Sequence, residues 1–129
     1  MTQCTPAQTA VLNTLRQQSQ PISAQALHGL MRTQQRIGLA TIYRALDTLK
    51  RLGQVQHRTT LAGETLYNVV EQDQHYLTCL HCGQSFPLEA CPLKGLKLLP
   101  QSSSSFAVYY HTLEFFGLCQ PCQVEAEPG

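Results

Sequence analysis

Two C-x-x-C pairs, Cys79-Leu80-His81-Cys82 and Cys119-Gln120-Pro121-Cys122, constrain this chain more than any other feature. Pairs of this kind, separated by a small domain's length, supply four thiolates that can close a tetrahedral zinc site. Gly83 follows the first pair, where the chain must turn tightly under a metal. Four thiolates more than neutralise one Zn2+, so the predicted site is structural and closed, with no open position for a substrate. Two disulfides or free thiols are the competing assignments. The N-terminus has no basic region followed by an apolar stretch, so a secretory signal is not expected. A cytoplasmic, reducing compartment favours thiolate–metal chemistry for the six cysteines. A thioredoxin-like redox enzyme needs one C-x-x-C at a helix N-terminus; here each pair is expected to end or begin a strand.

Hydrophobic residues make up 43% of the 129, enough to bury a core in one ordinary domain or two small ones. No apolar run approaches the roughly 20 residues of a membrane helix, so no membrane association is expected. The net charge of +1 hides a division. Residues 1–62 hold seven bases (Arg16, Arg32, Arg36, Arg44, Lys50, Arg51, Arg58) and one acid, Asp47. Residues 63–129 hold two bases and seven acids. A basic half joined to an acidic half suggests that only the first meets a polyanion, although a short chain can show such a split by chance.

The first half reads as a winged helix. Thr5-Pro6 starts one helix, Ser23 can cap a second after Pro21, and Gly38 precedes a third that stops at Gly53. In the third helix Leu39, Ile42, Leu46 and Leu49 form an inward stripe. Thr41, Arg44, Thr48 and Arg51 fall opposite, with Tyr43 and Lys50 at the margins. That face suits the DNA major groove, where Arg binds guanine edges and Thr or Tyr contacts phosphate or a thymine methyl. A merely solvated face fits the same pattern. Period-two segments at 55–58 and 65–69, around a turn at Ala62-Gly63, predict a hairpin whose Arg58 can reach phosphate.

The second half reads as a zinc-stapled domain. Leu93, Leu96 and Leu99 have helical spacing, serines 102–105 form a connection, and Ala107–Phe116 predicts a long strand. So small a domain has little chain left to cover both faces of that strand. Tyr109, Leu113 and Phe115 therefore suggest either a subunit interface or burial within one chain.

Over about residues 5–122 the sequence resembles the ferric uptake regulator superfamily. The resemblance rests on Ile37-Gly-Leu-Ala-Thr-Ile-Tyr-Arg-Ala-Leu46, on His75-Tyr-Leu-Thr-Cys79-Leu-His-Cys82-Gly83, and on His111-Thr-Leu-Glu-Phe-Phe-Gly117-Leu-Cys119-x-x-Cys122. It implies a homodimer whose metal-loaded form binds pseudo-palindromic double-stranded DNA. It also implies Tyr43 and Arg44 as DNA contacts and structural zinc on Cys79, Cys82, Cys119 and Cys122. His75 and His111 match family positions of a second metal site. The chain departs from the family in Thr5-Pro6-Ala7-Gln8, where an Arg is common, and in Asp73-Gln74-His75-Tyr76, where iron sensors carry a dense His run.

The expected fold class is α+β: a winged-helix DNA-binding domain at 1–70, a hinge at 71–76 and a small α/β dimerisation domain with the zinc site at 77–129. For the second, regulatory site Cys91 is the free thiol placed to join His75 and His111, completed by Glu89, Asp73 or His57. A His/His/Cys set is borderline-soft, which favours zinc over iron or manganese. The expected function is a zinc-responsive regulator of zinc homeostasis genes, not an enzyme, closest to the zinc uptake branch. It would carry one structural and at least one regulatory zinc per subunit, with no small-molecule substrate beyond the metal ion. DNA-binding candidates are Arg36, Thr41, Tyr43, Arg44, Arg51 and Arg58. The alternatives are an iron, manganese or peroxide sensor of the same family and a zinc-ribbon thiol oxidoreductase.

Overall fold

The structure is a computed structural model and describes residues 4–72, 74–93 and 106–126. It divides into two compact units, Met1–Asp73 and Gln74–Gly129.

The first unit is a winged helix. Helix α1 (Pro6–Arg16) begins in a full capping box: the Gln8 amide donates to the Thr5 hydroxyl and the Thr5 amide to the Gln8 side chain. The Ser23 hydroxyl caps α2 (Ala24–Met31) by accepting from the Ala26 amide. Helix α3 (Leu39–Arg51) has no side-chain cap and ends as Gly53 turns into the left-handed region at φ 74°. Strands β1 (Val55–Thr59) and β2 (Thr65–Val69) pair antiparallel around Gly63, which has φ 87°. Ile22 adds a bridge to Tyr67 on β2, tying the α1–α2 connection to the wing. The core gathers Val11, Leu12 and Leu15 from α1, Leu27 and Met31 from α2, Ile42, Leu46 and Leu49 from α3, and Val55 and Val69 from the hairpin. Leu39 is only half-buried, and Ala45 is buried in its stead. Cys4, just before α1, packs against this core.

A 3-10 turn at Val70–Gln72 closes the unit. Arg16 donates twice to Glu71 Oε1, at 3.1 and 2.9 Å, and the Gln72 side chain donates to the Arg16 carbonyl at 3.0 Å.

The second unit holds a three-stranded sheet of order β4-β3-β5, with β3 at Tyr76–Cys79, β4 at Ser85–Pro87 and β5 at Glu114–Gly117. Strand β4 lies antiparallel to β3 and β5 parallel to it. Thr78 is buried and bonds to Ser85 at 2.9 Å and to Glu114, linking all three strands through side chains. Helix α4 (Gln120–Ala126) follows.

Two expectations need correction. The long strand at Ala107–Phe116 is instead a four-residue strand at Glu114–Gly117, with 106–113 outside any strand. Its neighbour β3 offers only four residues to pair with, so the ladder runs out. The second cysteine pair neither ends nor begins a strand but stands at a helix N-terminus, Cys119 immediately before α4 and Cys122 in its first turn, so strand placement does not set this pair apart from a redox C-x-x-C. Pro92 and Leu93 form a turn; the rest of the helix expected at 92–99, serines 102–105 and Asp73 lie outside the described residues.

Candidate functional site

Four sulfurs come together where β3 ends and α4 begins. The ligand atoms of Cys79, Cys82, Cys119 and Cys122 all lie within 4.8 Å of one another. Cys82 Sγ and Cys119 Sγ stand 3.9 Å apart. A disulfide needs about 2.05 Å. Two vertices of a zinc–thiolate tetrahedron with bonds of about 2.3 Å stand about 3.8 Å apart. The spacing therefore fits a shared ion and excludes a disulfide between these two residues. Gly83, at φ 80°, makes the turn that returns the chain from the first pair to β4.

The electrostatics of the four thiols agree with a cation site. Backbone N–H groups of Cys119, then Cys82, donate toward the Cys79 sulfur and hold its thiol down to about 5. The Gln84 amide pulls Cys82 in the same direction, but the Cys79 sulfur, burial and the Cys119 sulfur outweigh it and push that thiol up. Contact with the Cys119 sulfur, then burial, push Cys122 up strongly. One thiolate forms readily and its neighbours resist, which is how sulfurs crowded without a counter-charge behave. A divalent cation reverses that penalty for Cys82 and Cys122.

A second group comprises His75, Cys91 and His111, whose ligand atoms also lie within 4.8 Å of one another. Cys91 Sγ is 3.4 Å from His111 Nε2. The edge of a tetrahedron between zinc-bound sulfur and nitrogen is about 3.5 Å. The His75 and His111 rings stack with centroids 4.6 Å apart. His75 is buried, Cys91 half-buried and His111 exposed, so the group opens to solvent at one end. His111 precedes β5 and does not sit on a strand face, contrary to the sequence expectation. Among the described residues neither Glu89 nor His57 joins either group. Glu89 is exposed. His57 sits on β1 beside Tyr67, where burial and then Lys50 lower its pKa.

The exposed face of α3 is turned relative to the sequence expectation. Tyr43, Arg44, Asp47 and Arg51 are exposed, whereas Thr41 and Thr48 are half-buried. Burial of Ala45 on the far flank rotates the helix toward Tyr43 and Asp47. Arg44 donates to the Thr41 hydroxyl at 3.2 Å, and Arg51 to Asp47 at 3.0 Å. Arg36 is exposed just before α3, and Arg58 is half-buried on β1. Two residues that periodicity does not mark also belong here. Gln25 on α2 donates to the Tyr43 hydroxyl at 3.0 Å. Tyr67 on β2 lines one groove with Tyr43, Arg44, Asp47 and Lys50. Only the fold brings it there.

An apolar face remains on the small sheet. Phe86, Leu77 and Phe115 stand in register across β4, β3 and β5, and each is more than 40% exposed. Tyr109 is also exposed and Leu113 half-buried. No helix among the described residues is long and apolar enough to cross a membrane.

Residues 2–116 match the model of the ferric uptake regulator family. A zinc uptake regulation protein of Mycobacterium tuberculosis is 32% identical over 103 residues, covering 78% of this chain and 79% of its own. A ferric uptake regulation protein of Neisseria meningitidis is 26% identical over 92 residues, covering 70% of this chain and 64% of its own. Among solved structures, the zinc uptake regulator FurB from M. tuberculosis superposes with a TM-score of 0.50 at 30% identity, over 89% of this chain and 91% of that one.

Proposed function

The chain belongs to the ferric uptake regulator family of metal-responsive transcription regulators, and from that premise we propose that it is a zinc sensor controlling zinc homeostasis genes as a DNA-binding homodimer. The single observation that carries the zinc reading is the His75–Cys91–His111 group. One thiolate with two imidazoles is borderline-soft and suits zinc better than manganese, which favours carboxylate and water, or iron(II), which commonly takes two His with a carboxylate.

The two groups take different parts. Cys79, Cys82, Cys119 and Cys122 form a closed, structural site that staples the β3–β4 turn to the start of α4. His75, Cys91 and His111 form the regulatory site, open to solvent at His111. Zinc, when bound there, supplies a positive charge that draws three sequence-distant segments together. His75 follows Gln72 by three residues, and Gln72 is bonded to the end of α1. Seating His75 therefore restrains the chain where it leaves the winged helix. On the reading face Tyr43, Arg44 and Thr41 are assigned to base edges and nearby phosphate, with Arg36, Arg51 and Arg58 on phosphate. The apolar row Phe86–Leu77–Phe115 is assigned to the subunit interface. Two reading heads then meet half-sites about 34 Å apart, or a multiple of that.

Coupling of about 1–3 kcal/mol, ordinary for allostery, corresponds to a 5- to 150-fold change in DNA affinity. The test is a DNA titration in buffered zinc. His75→Ala and Cys91→Ser are each expected to remove most of the zinc dependence while leaving residual, metal-independent binding. Unchanged zinc dependence in both variants would remove these residues from sensing.

A further inference from the structure

The one acid in the basic half of the chain stands in the middle of its reading face. Residues 1–62 contain seven bases and a single acid, Asp47. At about 100° per residue, Asp47 falls between Tyr43 and Lys50 on one side of the α3 face and Arg44 and Arg51 on the other. Its side chain is 57% exposed. It lines the same groove as Tyr43, Arg44, Lys50 and Tyr67.

A carboxylate in that position opposes phosphate, because sequence-independent affinity comes from cations that displace counterions. Any neutral residue would serve general DNA attraction better. What a carboxylate offers and a base cannot is acceptance without donation. In the major groove Asp accepts from the exocyclic amine of cytosine, whereas Asn pairs with adenine. The Arg51 guanidinium donates to Asp47 Oδ2 at 3.0 Å and steadies the carboxylate while leaving it exposed. That single bond uses one of roughly four acceptor positions.

We propose that Asp47 is a specificity-determining residue, accepting a hydrogen bond from the amine of one cytosine in each half-site of the bound duplex. The inference rests on the assignment of α3 as the DNA-reading helix. It differs from the contacts of Tyr43 and Arg44 in predicting a base identity and a penalty on random DNA.

The test is selection of duplexes from a random-sequence pool by the zinc-loaded full-length protein, then binding titrations on the selected duplexes at several salt concentrations. Wild type is expected to enrich a cytosine at one fixed position of each half-site. Asp47→Asn moves the preference at that position to adenine and leaves the rest of the consensus in place. Asp47→Ala leaves that position degenerate, cuts discrimination against a mismatch there by about 5- to 150-fold, and tightens binding to random duplex. Arg51→Ala retains the cytosine. The proposal is overturned if both Asp47 variants enrich the wild-type base at every position, or if Arg51→Ala loses the cytosine while Asp47→Asn keeps it. A wild-type protein that enriches no sequence overturns the DNA-reading assignment itself.

Discussion

Individual sulfurs in the four-cysteine group stand at separations that suit a shared cation. Cys82 and Cys119 stand too far apart for a disulfide and at the edge length of a zinc–thiolate tetrahedron. These four residues were legible in the sequence because C-x-x-C spacing brings both sulfurs of a pair to one ion. Cys91 and His111 were legible as candidates only, since nothing local joins residues 20 apart; the fold brings them to 3.4 Å. Glu89 and His57 have donor chemistry alone to recommend them, and among the described residues the fold gathers neither into a ligand group. The two sites should respond differently to loss of one ligand. Cys82→Ser is expected to weaken zinc binding at the structural site by more than about 100-fold, because changes to groups that merely orient ligands already cost 10- to 100-fold. It should also abolish the dispersed amide resonances of residues 74–93. Cys91→Ser should leave those resonances dispersed and lose only the second metal. Equal effects from both variants, seen in amide spectra with zinc analysis, would contradict separate roles.

Elements of the winged helix follow closely from local signals. Thr5, Ser23, Gly53 and Gly63 each do what capping and turn chemistry assign them. The sequence locates helix α3, yet its exposed face is turned because a small residue, Ala45, packs inward against its neighbours. Apolar periodicity weighs Ala too lightly to reveal this. The inward stripe carries most of the helix's stability: Leu46→Ala is expected to lower unfolding free energy by about 2–5 kcal/mol in chemical denaturation. A change below 1 kcal/mol would mean Leu46 is not a core residue. Sequence pattern overextends strand β5 for the opposite reason. Residues 106–110 form a continuous apolar and aromatic run, but pairing length is set by the neighbouring strand, which no sequence window contains.

Across the whole molecule, charge and apolar surface are divided between the two units. The basic half carries the α3 face to which DNA reading is assigned, and the second unit leaves Phe86, Leu77 and Phe115 open in a row across its sheet. An apolar row of this kind is costly in water unless covered, and a second copy of the chain is the cover assigned to it. Phe115→Glu is expected to shift the protein from dimer to monomer in sedimentation and to cut operator affinity by at least tenfold, with zinc content unchanged. A monomeric wild-type protein would contradict that assignment. The change in charge and motif type points to two units, while the boundary after Asp73, inside the hinge expected at 71–76, comes from the fold. The apolar row was not legible in the sequence, because register joins residues from three separate segments. The central claim is that one chain holds a closed structural metal site and a second, exchangeable one that sets DNA affinity. Zinc per subunit, measured together with operator binding before and after mild chelation, tests it most directly. The account predicts two zinc ions falling to one, with operator affinity lost and the fold retained. A single zinc throughout, or loss of both together with unfolding, would contradict it.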